Sequence, residues 1–149
     1  MSRNHLIANV EDIATRINLE DLFLRVSALE DAKLKIVLAP TAIRALRVAA
    51  SNPLNTWTDL DLSSYVTEKT KFIILDLHFR DVVANAKLKV RKNGTNSEGD
   101  SNVWAQGTSS WSINSVIVPC DDSQIIEWLC SVANATEIII AVAGYIEQG

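Results

Sequence analysis

At 149 residues the chain has the length of one ordinary domain with room for an appended arm. Its 48% hydrophobic and 21% charged residues are the balance of a globular chain and argue against a disordered one. A net charge of −4 gives no electrostatic footprint for nucleic acid, and no unbroken run of about 18 apolar residues exists to form a helical membrane span, so neither partner is expected.

The first segment, "MSRNHLIANVEDIATR", carries carboxylates within its first dozen residues and no continuous apolar core. It therefore reads as neither a secretory signal nor a transit peptide, and the mature protein is expected to begin here. Leu6, Val10, Ile13 and Ile17 recur at steps of four, three and four, a helical stripe. A second helical run, "NLEDLFLRVSALEDA", has Asn18 as N-cap, with Glu20 and Asp21 at the positive end of the helix dipole. Leu19, Leu22, Phe23, Val26 and Leu29 form its apolar face. Such an arm can pack on its own domain or on a second subunit, and the spacing leaves both open. In "KLKIVLAPTAIRALRVAAS", Lys33 to Ala39 has strand character and Pro40 ends or bends it. Thr41 to Ala50 reads as a short helix, so the whole piece is expected to be an irregular connector. The expected organisation is a mostly helical arm and connector over 1–51 and a β-sandwich over 52–149.

From Trp57 onward the spacing is that of strands. In "KFIILDLHFRD", Ile73, Leu75, Leu77 and Phe79 alternate with Asp76, His78 and Arg80, predicting an apolar inner face and a wet outer one. "KLKVRKNGT" puts Leu88 and Val90 inward, leaves its cations on the wet face, and ends in the tight-turn pair Asn93-Gly94. A polar loop, "TNSEGDSN", is followed by "VWAQG", "SWSINSVIVP", "SQIIEWLCSV" and "EIIIAVAGYIE". Short strands separated by turn-rich breaks, with no helical crossovers between them, predict an antiparallel β-sandwich or jelly roll behind an N-terminal helical arm: a mainly β protein. In the last strand Ile138, Ile140, Val142 and Ile146 alternate with Ile139, Ala141, Ala143 and Tyr145, and both sets are apolar. A single sandwich leaves one face of each sheet wet. Something must then cover the second face, either the arm or a neighbouring copy, and oligomerisation is the expectation.

Few residues suggest chemistry. Asp76, His78 and Arg80 share a strand face, but no serine lies in a G-x-S-x-G context and the other histidine, His5, is in the arm, so the alternation reads as a solvated face. Asp59 with Asp61, Glu98 with Asp100, and Asp121 with Asp122 lack a calcium-loop spacing and read as turn and strand residues. No phosphate-binding glycine loop or H-E-x-x-H is present, and no cofactor or metal is expected. Cys120 and Cys130 lack metal-ligand spacing and read as two reduced core thiols. Asn93-Gly94-Thr95 and Asn134-Ala135-Thr136 match the glycosylation pattern and, without a signal segment, are read as chance. Of Trp57, Trp104, Trp111 and Trp128, the pair Trp104 and Trp111 flanks the turn "AQGTSS" and is the candidate sugar-stacking surface, against core packing for all four.

Three stretches, "NTWTDLDLSSYV", "KLKVRKNG" and the closing "IIIAVAGYIE", resemble the small β-sandwich modules of tailed-phage virion proteins over roughly Asn52 to Gly149. The resemblance implies a non-enzymatic homotrimer located in the virion, either a capsid cement (decoration) protein or a tail-fibre tip, with the major capsid protein or another virion protein as partner. A short arm before the sandwich suits a cement protein. On that reading Ile138, Ile140, Val142 and Tyr145, or the opposite face of their strand, make the trimer contacts. Leu6, Val10, Ile13 and Ile17 contact the shell. The alternative is a receptor- or carbohydrate-binding module that uses Trp104 and Trp111.

Overall fold

The computed structural model describes residues 19–25, 33–98 and 101–149. Among them are eight strands: β1 (Leu34–Val48), β2 (Thr58–Asp61), β3 (Thr70–Arg80), β4 (Ala84–Lys92), β5 (Ser101–Gln106), β6 (Ser112–Pro119), β7 (Ile125–Cys130) and β8 (Glu137–Gln148). They form two four-stranded sheets, a front sheet in the order β1-β8-β3-β6 and a back sheet in the order β2-β7-β4-β5. Every pairing within them is antiparallel. First pairs with last and then inward: β1 with β8, β2 with β7, β3 with β6, β4 with β5. The chain is thus one long hairpin folded over, its successive strand pairs falling alternately in front and back, which is the jelly-roll arrangement of a β-sandwich.

The core is built by the predicted alternation. Ile73, Leu75, Leu77 and Phe79 of β3 are completely buried, as are Leu88 and Val90 of β4, Val118 of β6 and Ile126 of β7. Trp128, Ala86, Val103 and Cys130 complete the back sheet's inner wall. Gly94 takes a left-handed φ of +73° directly after β4, the turn that its Asn-Gly pair predicts.

Three buried polar side chains fasten connections that would otherwise leave backbone groups unpaired. Asn52, after β1, donates from Nδ2 to Val132 O at 2.7 Å and accepts Ala135 N–H at Oδ1 at 2.8 Å. Asp81, after β3, accepts Val83 N–H and Thr136 N–H at 2.8 and 2.9 Å. Both thereby hold the β7–β8 connection. Beyond the other end of β7, Gln124 donates from Nε2 to Glu68 O and Asp122 O.

The segment read as an irregular connector is instead β1, a single strand of 15 residues that runs through Pro40 and Thr41–Val48, where a short helix was expected. β1 is an edge strand, so a proline there removes no ladder hydrogen bond. The register breaks at the proline, jumping from Leu38↔Gly144 to Ile43↔Val142, so Ala39–Ala42 bulge past one residue of β8. Strand structure therefore begins at Leu34, well before Asn52. Residues 19–25 form about two helical turns with an Asp21–Arg25 ion pair at 3.1 Å, and Leu19, Leu22, Phe23 and Leu24 are exposed. Its expected cap, Asn18, and the expected continuation at Val26 and Leu29 lie outside the described residues.

β8 runs between β1 and β3 with a bulge at Ala143. Along β3 the register passes from Leu75↔Val142 to Ile74↔Gly144. The extra residue inverts the alternation: Tyr145 opposes the buried Ile73 on the inner face, and Ile146 opposes Phe72 on the outer one. Gly144 permits this, since a Cβ there would stand 2.5 Å from Val37 O and 3.1 Å from Leu38 Cα. Gly144→Ala should therefore destabilise the sandwich by about 1–3 kcal/mol, the range of overpacked sites, read as a lower urea midpoint at an unchanged slope.

Candidate functional site

In a two-layer sandwich the outer faces are expected to be polar. The front sheet departs from this over half its area. Cross-strand pairing places Pro119, Phe72, Ile146 and Ile36 in one outward row, and Ile117, Ile74, Gly144 and Leu38 in the row beside it. Leu34, paired with the polar Gln148, lies two residues before Ile36 along β1. Ile36, Leu38 and Ile117 are 63%, 68% and 55% exposed, Leu34 60% and Phe72 36%. No ionisable side chain interrupts these rows.

The other part of the same face carries its charged groups, with Ile113 and Ile139 in the row of His78 beside them. Ser115 Oγ donates to Asp76 Oδ1 at 2.7 Å. Glu137, buried at the start of β8, is clamped by Arg47 Nε at 2.7 Å and Arg80 Nη2 at 2.7 Å. Arg80 also lies over the Trp111 ring, 4.8 Å from its centroid, and His78 meets the same ring edge-on at 6.2 Å. Burial opposes ionisation of Glu137, but the hydrogen bonds and charges of Arg47 and Arg80 outweigh it and hold the carboxyl below its ordinary value. Asp76, His78 and Arg80 share one face as the sequence predicts. His78 faces an indole, and the nearby serine hydroxyl, Ser115, is held by Asp76.

The outer face of the back sheet carries cation–aromatic pairs. Lys87 Nζ sits 3.9 Å from the Trp104 ring centroid, and Arg91 Cζ 3.9 Å from that of Trp57. Arg91 is further fixed by Glu127 at 2.7 Å and by Ser97 O at 2.8 Å. Trp104, 46% exposed, donates from Nε1 to Asn102 Oδ1 at 2.7 Å. Trp128 is a core residue.

The structure relocates several residues singled out by sequence. Ile138, Ile140 and Val142 are not surface contacts: they are 0%, 0% and 2% exposed and pack between the sheets opposite Phe79, Leu77 and Leu75. The reason is that β8 is an inner strand of the front sheet, so the core claims this face. Tyr145 shares that inner face, half-buried near its end. The outward set is Ile139, Ala141 and Ile146, of which Ala141 is buried. Trp104 lies on β5 of the back sheet and Trp111 immediately before β6 of the front sheet, and each ring is engaged by its own cation, Lys87 and Arg80. Leu6, Val10, Ile13 and Ile17 lie outside the described residues. Missed by sequence reasoning were Leu34, Ile36 and Leu38. Their period-two spacing around Lys35 and Val37 was the available signal, masked by the proline that follows.

The acidic loop residues serve turns. Asp121 accepts N–H groups from Ser123 and Ile125 and the Asn93 amide, within 3.0 Å. These bonds outweigh burial and hold its carboxyl below the ordinary value. Asp61 accepts Ser63 N–H at 2.9 Å. Asp100 lies outside the described residues, and among those described no cluster of three metal-ligating side chains occurs. Cys120 and Cys130 are buried and unpaired, and burial pushes both thiols up, away from the reactive thiolate.

No protein-family model matches the chain, and no curated protein matches it. Among solved structures it is similar to an arabinose-bound α-L-arabinofuranosidase, at 12% identity and a TM-score of 0.37. The match covers 77% of this chain and spans only 22% of that one, and a likeness at this level carries no argument about function.

The Glu137 clamp sets a pH dependence. Its folded carboxyl sits below its ordinary value of 4.5, so the unfolded chain takes up its proton first as pH falls. The stability it contributes is present above that value and is lost as pH drops through the folded value. Urea denaturation at about pH 7 and pH 3 should show wild type losing more stability between the two than Glu137→Gln, and the variant should be the weaker protein at neutral pH.

Proposed function

We propose that the protein is a non-enzymatic structural component of a virion, a homotrimeric capsid cement (decoration) protein that stabilises a phage shell by binding it. The observation that carries this reading is the pair of exposed apolar rows on the front sheet, a surface suited to association. The polar groups beside them are engaged with one another: Glu137 with two arginines, Asp76 with Ser115. The virion assignment itself rests on the resemblance of "NTWTDLDLSSYV", "KLKVRKNG" and "IIIAVAGYIE" to phage sandwich modules.

The mechanism is burial without turnover. Apolar area removed from water contributes about 25 cal/mol per Å², and a stable contact withdraws roughly 1,000 Å² or more. Copies would meet one another and the major capsid protein or another virion protein, so that each added contact raises the cost of moving a shell subunit. The exposed Leu19, Leu22 and Phe23 of the helical turn offer a further apolar surface for the shell.

A second reading is favoured by one side chain. Trp104 is nearly half exposed on the back sheet beside Asn102 and Lys87, with one ring face taken by the lysine, an arrangement on which a sugar ring can stack. On that reading the module is a carbohydrate- or receptor-binding one, or a tail-fibre tip.

Gradient-purified particles should contain the chain at a copy number that is a multiple of three and tied to shell symmetry. Cryo-electron microscopy should place it on the shell, and particles lacking it should rupture at lower temperature. Absence from particles, or density on the tail alone, overturns the cement assignment. For the second reading, a glycan array should give binding that Trp104→Ala reduces about tenfold or more, the scale of a lost stacking contact, and a blank array removes it.

A further inference from the structure

We propose that the outward apolar rows of the front sheet are where copies of this chain meet: the face carrying Ile36, Leu38, Phe72 and Ile117 is buried against the front sheet of a second copy. This rests on the association reading above and adds the surface that performs it.

Size is the first argument. Leu34, Ile36, Leu38, Phe72 and Ile117 present on the order of 500 Å² of apolar area per copy, at the upper end of what the largest patch on a monomer displays. Two such faces brought together withdraw about 1,000 Å², the lower bound of a specific interface, before half-buried Ile74 is counted. Shape is the second. The rows cross all four strands, and the space a Cβ would take at Gly144 is already filled by Val37 O and by Leu38, so the second row continues without a gap. Sheets pack face to face on such apolar surfaces at about 10 Å, as the inner face of this same sheet already does.

Charge then selects the occupant. The rows hold no ionisable group, so they offer nothing to an acidic or basic partner, and the chain's net charge of −4 weighs against an anionic lipid surface. The partner must be flat, apolar and uncharged, and a second copy supplies such a surface. Edge-to-edge pairing of β1 is disfavoured, because Pro40 and the Ala39–Ala42 bulge interrupt the strand. Copies therefore meet through the face. A face set against its own copy is an isologous contact that closes as a dimer, so the homotrimer of the proposed function needs a second, heterologous contact beside it.

Analytical ultracentrifugation of the full chain across about 1 to 100 μM, with light scattering for mass, tests the assignment. Wild type should be oligomeric, with a melting temperature that rises with protein concentration. Ile36→Glu and Ile117→Glu, both at exposed positions, should each weaken association about a hundredfold or more while keeping the far-ultraviolet circular dichroism of the wild type, because a carboxylate is then buried against its own copy. Phe23→Asp in the helical turn is the control and should leave the oligomer intact. A monomeric wild type at the highest concentration overturns both this inference and self-association as a whole. An oligomer that survives both front-sheet substitutions, or that only Phe23→Asp dissolves, overturns this face and leaves the association reading standing. Loss of the chain from particles, tested separately, would sink the virion assignment without touching this face.

Discussion

A two-layer sandwich can enclose one face of each sheet, and this chain has a front sheet whose outer face is apolar over part of its extent as well as its inner one. That constraint organises the molecule. The inner faces fill the core with Ile73, Leu75, Leu77, Phe79, Ile138, Ile140 and Val142, all essentially dry. The surplus, Ile36, Leu38, Phe72 and Ile117, is left on the outside with nothing within the sandwich to cover it. The bulge at Ala143 sharpens the division, because it turns Tyr145 inward and sends Ile146 out to join the exposed rows. Gly144 makes the bulge sterically possible.

Polar chemistry is confined to places where it holds the fold. Asn52 and Asp81 tie separate connections to the β7–β8 loop, and Asp121 collects the donors of its own turn. Glu137 brings Arg47 of β1 and Arg80 of β3 together across β8, so three neighbouring strands share one ionic contact. A buried carboxylate with two guanidinium partners is costly to disturb, because removing one partner leaves buried charge uncompensated. Since the same Arg80 lies on Trp111 and His78 abuts that ring, the histidine that looked most like a catalytic group belongs to a packed cluster.

The two outer surfaces differ in kind, and so do the functions they suggest. The back sheet alternates cations with indoles, and each ring is already stacked. The apolar rows of the front sheet offer area without charge. Area without charge favours partners that are themselves flat and apolar, which is why self-association is proposed for this face.

How much could be read from residues alone follows from what each signal depends on. Alternation in "KFIILDLHF" and "KLKVRK" is a local property of the backbone, since successive side chains point to opposite sides, and it correctly gave the strands, their inward residues and the sandwich class. Lys33 to Ala39 showed strand character, but the half of β1 beyond Pro40 was lost because a proline normally breaks a strand, and only the sheet order, which makes β1 an edge, shows why this one does not. The greasiness of both sides of "IIIAVAGYI" was also visible in the sequence. Which side meets the core, and that a bulge exchanges Tyr145 for Ile146, depends on pairing with strands more than 60 residues away. The sequence by itself determined that the last strand carries more apolar surface than one sandwich face can hide. Only the tertiary structure decided where the excess goes, because burial is a property of neighbours brought together by folding and not of the strand that carries the side chains.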